Sequence, residues 1–307
     1  MESIKVLFSL YSVIRSCPSA VDVYIGTDDT YVNIPRLYKH LAYRYNDDKR
    51  IWSGFLSSHV SNFEQRNAIR ETWGSQHLFL GRNVRYVFIL AKVEGKNEAM
   101  IQELVAKEAQ KYGDIVQGNF QESFKNLTLK VVLGLKWTTE FCSDVAYLYK
   151  GDEDMFVAWR NVIRFLLETS DKAGKEKMSR FFVGSKMAGS RRIANPKSRY
   201  YVNESYFAGD FYPMYCSGGS YVISNDILPE LFKKSFSTPL IPIDDAFQGM
   251  LTEQIGVHPI HYEGFKVSFK KQDCILQNPD TLTLHGFKTP ISLKDTWSKY
   301  QNKETCL

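Results

Sequence analysis

Val145-Ala-Tyr-Leu-Tyr-Lys150 runs directly into Gly151-Asp152-Glu153-Asp154. The first six residues, mostly aliphatic and aromatic, read as a buried strand. Three consecutive carboxylates then follow at its carboxyl end. Like charges a few ångströms apart raise one another's pKa. A divalent hard cation relieves that repulsion and is held by oxygen ligands. A solvated acidic turn is the competing reading of the triplet taken alone.

Strands and helices alternate on the amino-terminal side of this stretch. Ser61-Asn-Phe-Glu64 fits a capping box opening a helix through Trp73. Val84–Ala91 is a continuous apolar run suited to a buried parallel strand. Asn97–Tyr112 reads as an amphipathic helix with Met100, Ile101, Leu104 and Val105 on one face. Asp114–Gln117 follows as a short strand and Ser123–Phe141 as a long helix. After Arg180 come short strands and aromatic-rich loops, then a helix over Ile243–Gln254. The expected fold class is α/β, a Rossmann-like doubly wound sheet with a mixed carboxyl-terminal half. Ligands are expected at the strands' carboxyl ends.

Composition agrees with an enzyme-sized globular chain. The sequence has 307 residues, 44% hydrophobic and 24% charged, which excludes a disordered or low-complexity protein. No run of eighteen apolar residues occurs. The net charge of +5 is spread without a Lys/Arg block and makes no case for nucleic acid. The five cysteines form no CxxC pair, so a structural zinc site is not expected. Asn126-Leu-Thr128 and Asn203-Glu-Ser205 are glycosylation sequons if the chain enters the secretory pathway.

The triplet has a near copy upstream. Cys17–Val32 aligns with Cys142–Val157 without a gap, since 142 − 17 and 157 − 32 both equal 125. Residues 1–55 therefore read as a truncated repeat of the acidic-motif segment, the middle slice of one domain. It is fused ahead of a nearly complete second one at 56–307. On this reading the apolar run at 6–14 is a helix of the repeat rather than a targeting signal.

Several other residues have the chemistry of a site. Asp244 and Asp245 open a helix, where the macrodipole favours negative charge and simple capping is the plainer explanation. Gly218-Gly219 lets backbone approach a ligand, although a bulge accounts for the pair equally well. Arg66 and Arg70, four apart, could clamp phosphates or form a surface pair. His285, inside Thr281-Leu-Thr-Leu-His-Gly-Phe287, is a metal-ligand candidate, against the commoner case of a satisfied core histidine.

These motifs in order resemble the β-1,3-galactosyltransferase family, which includes β-1,3-N-acetylglucosaminyltransferases. The resemblance rests on Arg66-Asn-Ala-Ile-Arg70-Glu-Thr-Trp73-Gly74, Tyr112-Gly-Asp114, Asn126-Leu-Thr-Leu-Lys130 and Gly134-Leu-Lys-Trp137. It rests also on Asp152-Glu-Asp154, Tyr212-Pro-Met-Tyr-Cys-Ser-Gly-Gly-Ser-Tyr-Val-Ile-Ser224 and Pro242-Ile-Asp-Asp-Ala-Phe-Gln-Gly249. It covers roughly residues 56–300, which makes 56–307 the catalytic domain. The family implies a GT-A fold, a UDP-sugar donor such as UDP-galactose or UDP-N-acetylhexosamine, a divalent metal, usually Mn²⁺, and a glycan acceptor. Its members are type II Golgi membrane proteins, so it also implies the lumenal face of the Golgi.

The resemblance assigns roles. Asp154 matches the metal-binding aspartate, with Asp152 and Glu153 beside it and His285 completing the shell. Arg66, Arg70 and Lys130 match donor-site positions, as do Gly218 and Gly219. Asp245 matches the expected catalytic base and Asp244 the acidic residue before it. Cys142 and Cys216 fall in the Phe-Cys and Tyr-Cys motifs of a lumenal domain, which implies a disulfide between them. Glu153 departs from the usual Asp, and Asn119, Glu122 and Phe124 depart from Asp, Asp and Tyr. Ile51–His59 reads as a poor version of the family's first strand.

The implied function is an inverting hexosyltransferase forming β-1,3 linkages. A degenerate relative that binds without turnover is the alternative. A Mg²⁺-dependent phosphoryl-transfer enzyme is disfavoured by the absence of GxxxxGK[ST].

Overall fold

The computed structural model describes residues 52–267 and 275–302. The amino-terminal repeat lies outside the described residues, apart from its last few positions.

Those last positions overturn one expectation. Trp52–Ser57 is strand β1, buried along its whole length. It pairs in parallel with β3 (Arg82–Lys92) on one side and β5 (Tyr147–Asp152) on the other. The stretch looks weak because Ser53, Gly54 and Ser57 interrupt its apolar residues. Its position in the sheet explains those small residues: a Cβ on Gly54 would lie 3.2 Å from the Tyr149 carbonyl oxygen. Side chains alternate between faces, with Trp52 and Leu56 in one core layer and Phe55 in the other. A boundary at residue 55/56 would cut this central strand, so the folded unit includes Trp52.

Parallel strands run β4–β3–β1–β5, where β4 is Ile115–Gln121. Beyond β5 the sheet turns mixed: β8 (Tyr215–Ser224) is antiparallel, followed by β7 (Phe182–Met187) and β9 (Ile260–His261). The short β2 (Leu78–Phe79) folds back on β3. A second sheet joins β10 (Phe265–Lys266), β11 (Thr283–His285) and β6 (Met155–Val157).

Helices cover both faces. One core layer takes in α1 (Phe63–Glu71), α2 (Glu98–Tyr112), α4 (Trp159–Lys172) and α7 (Pro290–Gln301). The other is built on α3 (Leu127–Phe141), α5 (Leu228–Ser235) and α6 (Asp244–Gln254). Gly134 of α3 admits the Phe55 ring, which a Cβ there would meet at 2.5 Å.

Two helix details differ from expectation. The first turn of α1 starts after Asn62 without a side-chain cap, because the Asn62 amide donates to Glu153 instead. On α2 the buried residues are Val105, Glu108 and Ala109, while Met100 and Leu104 are 56% and 43% exposed. Glu108 turns inward to meet two arginines, and that rotates the buried stripe.

Candidate active site

A cleft of about 840 Å³ opens at the carboxyl ends of β1 and β5. Ser57 and Asp152 are register partners there. From this pair the sheet is built outward in opposite directions, which is the switch point where doubly wound sheets bind ligands.

Lys150 organises the floor. It is fully buried, and its ammonium reaches Asp152 at 2.9 Å, Asp244 at 3.1 Å and the Gly218 carbonyl oxygen. Three donors meet three acceptors, so no N–H is left unsatisfied. This lysine joins β5, β8 and the first turn of α6. The carboxylates around it raise its pKa against the lowering effect of burial. Burial pushes the Asp152 carboxyl up, opposed by Lys150.

Asp245 sits beside this knot. Its Oδ2 accepts from the Gly218 N–H at 3.0 Å and its Oδ1 from the Ala246 N–H at 2.8 Å. Burial, and then the charge of Asp244, raise its pKa to about 6. A Cβ on Gly218 would come within 3.3 Å of the Asp245 Cβ, and one on Gly219 within 3.5 Å of the His285 ring. The paired glycines therefore let β8 pass between these two side chains.

The acidic triplet divides into three fates. Asp154 faces His285, Oδ2 to Nε2 at 3.2 Å, because β11 pairs with β6 and sets His285 opposite Met155. Asp152 is engaged by Lys150. Glu153 turns away, accepting from the Ser58 hydroxyl at 2.5 Å, the His59 N–H at 3.3 Å and the Asn62 amide at 2.5 Å. Its longer stem reaches the β1–α1 loop, whose donors engage its oxygens while it still lines the cleft. Among the described residues no three His, Cys, Asp or Glu side chains converge as a metal centre. Asp154 and His285 nevertheless fit a cation that takes its other ligands from phosphate and water.

The expected donor-site arginines are elsewhere. Arg66 is fully buried, bidentate to Glu108, and donates to Ser58 and to the carbonyls of His59 and Val60. Arg70 pairs with Asp114 and Glu108 at 2.8 Å each. Neither lines the cleft. Arg66 thereby ties the β1–α1 loop to α2, and Arg70 ties α2 to Asp114, just ahead of β4. Lys130 does line the cleft, with its ammonium 2.8 Å from the Ser58 carbonyl oxygen and 2.7 Å from Glu122.

The opposite wall was not foreseen. The Arg199 guanidinium lies 4.1 Å from the Phe124 ring centre and 4.9 Å from that of Tyr200. The two rings meet edge-on at 5.3 Å. Arg199 and Tyr200 sit in a loop without local periodicity, so nothing in the sequence marked them. Lys150 did carry a signal: a lysine inside an apolar strand, two residues before an aspartate, needs a buried partner.

Cys142 and Cys216 are both free and buried. The expected disulfide fails on geometry. Cys142 lies by Asn225, whose amide donates to the Ser143 carbonyl at 2.7 Å. Cys216 is nine residues earlier along β8, about 30 Å away at ~3.3 Å per residue. A bridge requires Cα atoms within about 7 Å. The sequons also differ. Asn203 is exposed in an Asx turn that accepts from the Ser205 N–H. Asn126 donates to the Gln121 carbonyl, and Thr128 is buried against Ile241.

A doubly wound sheet with an acidic cleft at its switch point and a mixed second half agrees with the fold expected from the resemblance. The chain belongs to the galactosyltransferase family, whose model matches residues 64–263. It is 38% identical over 214 residues to a human acetylgalactosaminyl-O-glycosyl-glycoprotein beta-1,3-N-acetylglucosaminyltransferase, covering 69% of this chain and 54% of that protein. It is 31% identical over 250 residues to mouse beta-1,3-galactosyltransferase 1, covering 81% of this chain and 73% of that protein. The chain thus spans about half the length of the first of these relatives. Among solved structures it is similar to a glycosyltransferase involved in the glycosylation of the major capsid of PBCV-1. That likeness has a TM-score of 0.40 at 11% identity, over 80% of this chain and 98% of the other.

Proposed function

We propose that this chain is an inverting hexosyltransferase. It moves galactose or N-acetylhexosamine from a UDP-sugar to a hydroxyl of a glycoprotein or glycolipid glycan in a β-1,3 linkage. The observation that carries this reading is Asp245. It is a carboxylate at a helix start, held by two backbone N–H groups and facing the same cleft as Asp154 and His285.

In this reading Asp154 and His285 would hold a divalent cation, Mn²⁺ by family resemblance, which when bound would supply positive charge to the diphosphate leaving group. Phe124 and Tyr200 offer aromatic surface for the uracil ring, and Lys130 with Glu122 fixes the neighbouring edge. Asp245 takes the proton from the acceptor hydroxyl as oxygen attacks the anomeric carbon from the face opposite UDP. The new glycosidic bond forms as the bond to the diphosphate breaks, so one inversion occurs. Asp244 does not act on the substrate; its carboxylate is tied to Lys150 and sets the environment of Asp245.

Among the described residues no helix is long and apolar enough to cross a membrane. We place the domain in the Golgi lumen on the family resemblance and the exposed Asn203 sequon. The test is transfer from UDP-galactose and UDP-N-acetylglucosamine, in Mn²⁺, to a panel of galactosyl and N-acetylgalactosaminyl acceptors. A β-1,3-linked product from either donor is the expected result. UDP binding without transfer or UDP release would favour the non-catalytic alternative.

A further inference from the structure

A second cavity, of about 520 Å³, shares no lining residue with the cleft. It lies at the far ends of two helices whose other ends border the active site. The start of α1 reaches the cleft at Asn62 and Gln65, and its end reaches this cavity at Trp73 and Gln76. Phe287 and Lys288, just before α7, border the cleft, and Trp297, Tyr300 and Gln301 line the cavity. Twelve helical residues at ~1.5 Å each separate the sites by about 18 Å.

Its chemistry differs from that of the cleft. Aromatic rings form the lining: Trp297 and Tyr300 stack at 5.7 Å, and Trp73 and Trp159 meet at 6.4 Å. Trp159 is 3% exposed, and its indole N–H has no hydrogen-bond partner. Two arginines, Arg160 and Arg164, line the space, and among the described residues no Asp or Glu does. Arg164 leans on the Pro279 carbonyl and the Asn161 side chain, and its Nε lies 3.9 Å from the exposed Glu168. Arg160 is exposed and has no carboxylate partner among the described residues.

We propose that this cavity is a second carbohydrate-binding site, selective for a sugar that carries a negative charge, a carboxylate or a sulfate. The apolar C–H faces of a pyranose pack on indole and phenol rings. Its hydroxyls need donors and acceptors such as the side-chain amides of Gln76 and Gln301, which line the cavity. A cavity of this size accommodates a small ligand. Guanidinium groups prefer oxyanions, with which they form charge-assisted bonds. With two arginines and no lining carboxylate, a neutral sugar leaves the positive charge unanswered. The proposal needs no catalysis at the cleft.

The experiment titrates the full chain with glucuronic acid, galactose 6-sulfate, galactose, UMP and inorganic sulfate, following tryptophan fluorescence. Trp73, Trp159 and Trp297 line the cavity and report on it. One or both anionic sugars should bind at least tenfold tighter than galactose and sulfate, and UMP should not displace them. Arg160→Ala should weaken that binding at least tenfold, while UDP affinity at the cleft stays unchanged. The choice between glucuronate and the sulfated sugar shows which oxyanion is preferred. The proposal is overturned if neither anionic sugar binds or if galactose binds as well. It is equally overturned if free sulfate matches them, if UMP competes with them for the same site, or if Arg160→Ala leaves the binding intact. Trp297→Ala gives an independent check of the aromatic contact and should weaken the same ligand.

Discussion

The N–H of Gly218 donates to the Asp245 carboxylate at 3.0 Å, and this bond aims the proposed base into the cleft. The close approach depends on the missing side chain, since a Cβ would stand 3.3 Å from the Asp245 Cβ. Gly218→Ala should therefore displace the carboxylate by a few tenths of an ångström. Misplacement on that scale lowers kcat, by about tenfold here, because proximity effects fall steeply with distance. Steady-state kinetics should show the donor KM nearly unchanged. A fall in donor affinity with kcat preserved would place Gly218 in donor binding alone.

Asp245 has a pKa raised to about 6 by burial and by Asp244. The base works as the carboxylate, so protonation removes it. The rate at saturating substrates should level off above pH 6 and fall about tenfold per pH unit below it. Asp244→Asn removes the neighbouring negative charge, lowers the Asp245 pKa, and should move this limb to lower pH. A pH–rate profile of both proteins decides the point. A limb that stays put or moves to higher pH in the variant would contradict the assignment.

Lys150 is a buried cation with two carboxylate partners. Replacing it by methionine keeps the volume but leaves Asp152 and Asp244 facing each other without a countercharge. Removing one member of a buried pair costs about 3–5 kcal/mol. Denaturant unfolding of Lys150→Met should show a loss of that order, whereas Lys150→Arg should recover part of it.

Arg66 and Arg70 hold Glu108 and Asp114 rather than the donor. Arg66→Met should lower stability by ~3 kcal/mol, the cost of breaking a buried ion pair. UDP affinity measured below the unfolding transition should change less than threefold. A hundredfold loss of UDP affinity in a folded variant would return Arg66 to the donor site.

Burial pushes the Cys142 thiol up to about 12, and Cys216 further in the same direction. Both should resist alkylation in the native protein and react fully after unfolding. Peptide mapping under non-reducing conditions should find no link between them.

The parallel half of the fold was legible because its strands are continuous apolar runs, such as Val84–Ala91 and Val145–Lys150, bracketed by periodic helices. β1 was not, because a strand covered on both faces and crowded by Tyr149 can use Ser and Gly where propensity asks for Val or Ile. The acidic triplet lines the cleft, yet only its last member faces His285. Residue type cannot show that Glu153 is spent on the β1–α1 loop, or that Lys150 holds Asp152. The arginines misled for a related reason. Their spacing reads as a phosphate clamp, whereas the partner that decides their role, Glu108, lies 42 positions from Arg66. Long-range pairing of charges is written in the topology, not in local spacing.

The central claim is the division of labour between Asp245 and Asp154. Transfer rate and UDP affinity in Mn²⁺, measured side by side for Asp245→Asn and Asp154→Ala, test it most directly. Asp245→Asn should lower kcat by ~10²–10⁴ with UDP affinity nearly unchanged. Asp154→Ala should lose transfer together with the Mn²⁺-dependent part of UDP binding. Wild-type transfer by Asp245→Asn, or UDP affinity in Asp154→Ala that still rises with Mn²⁺ as in the parent, would contradict it.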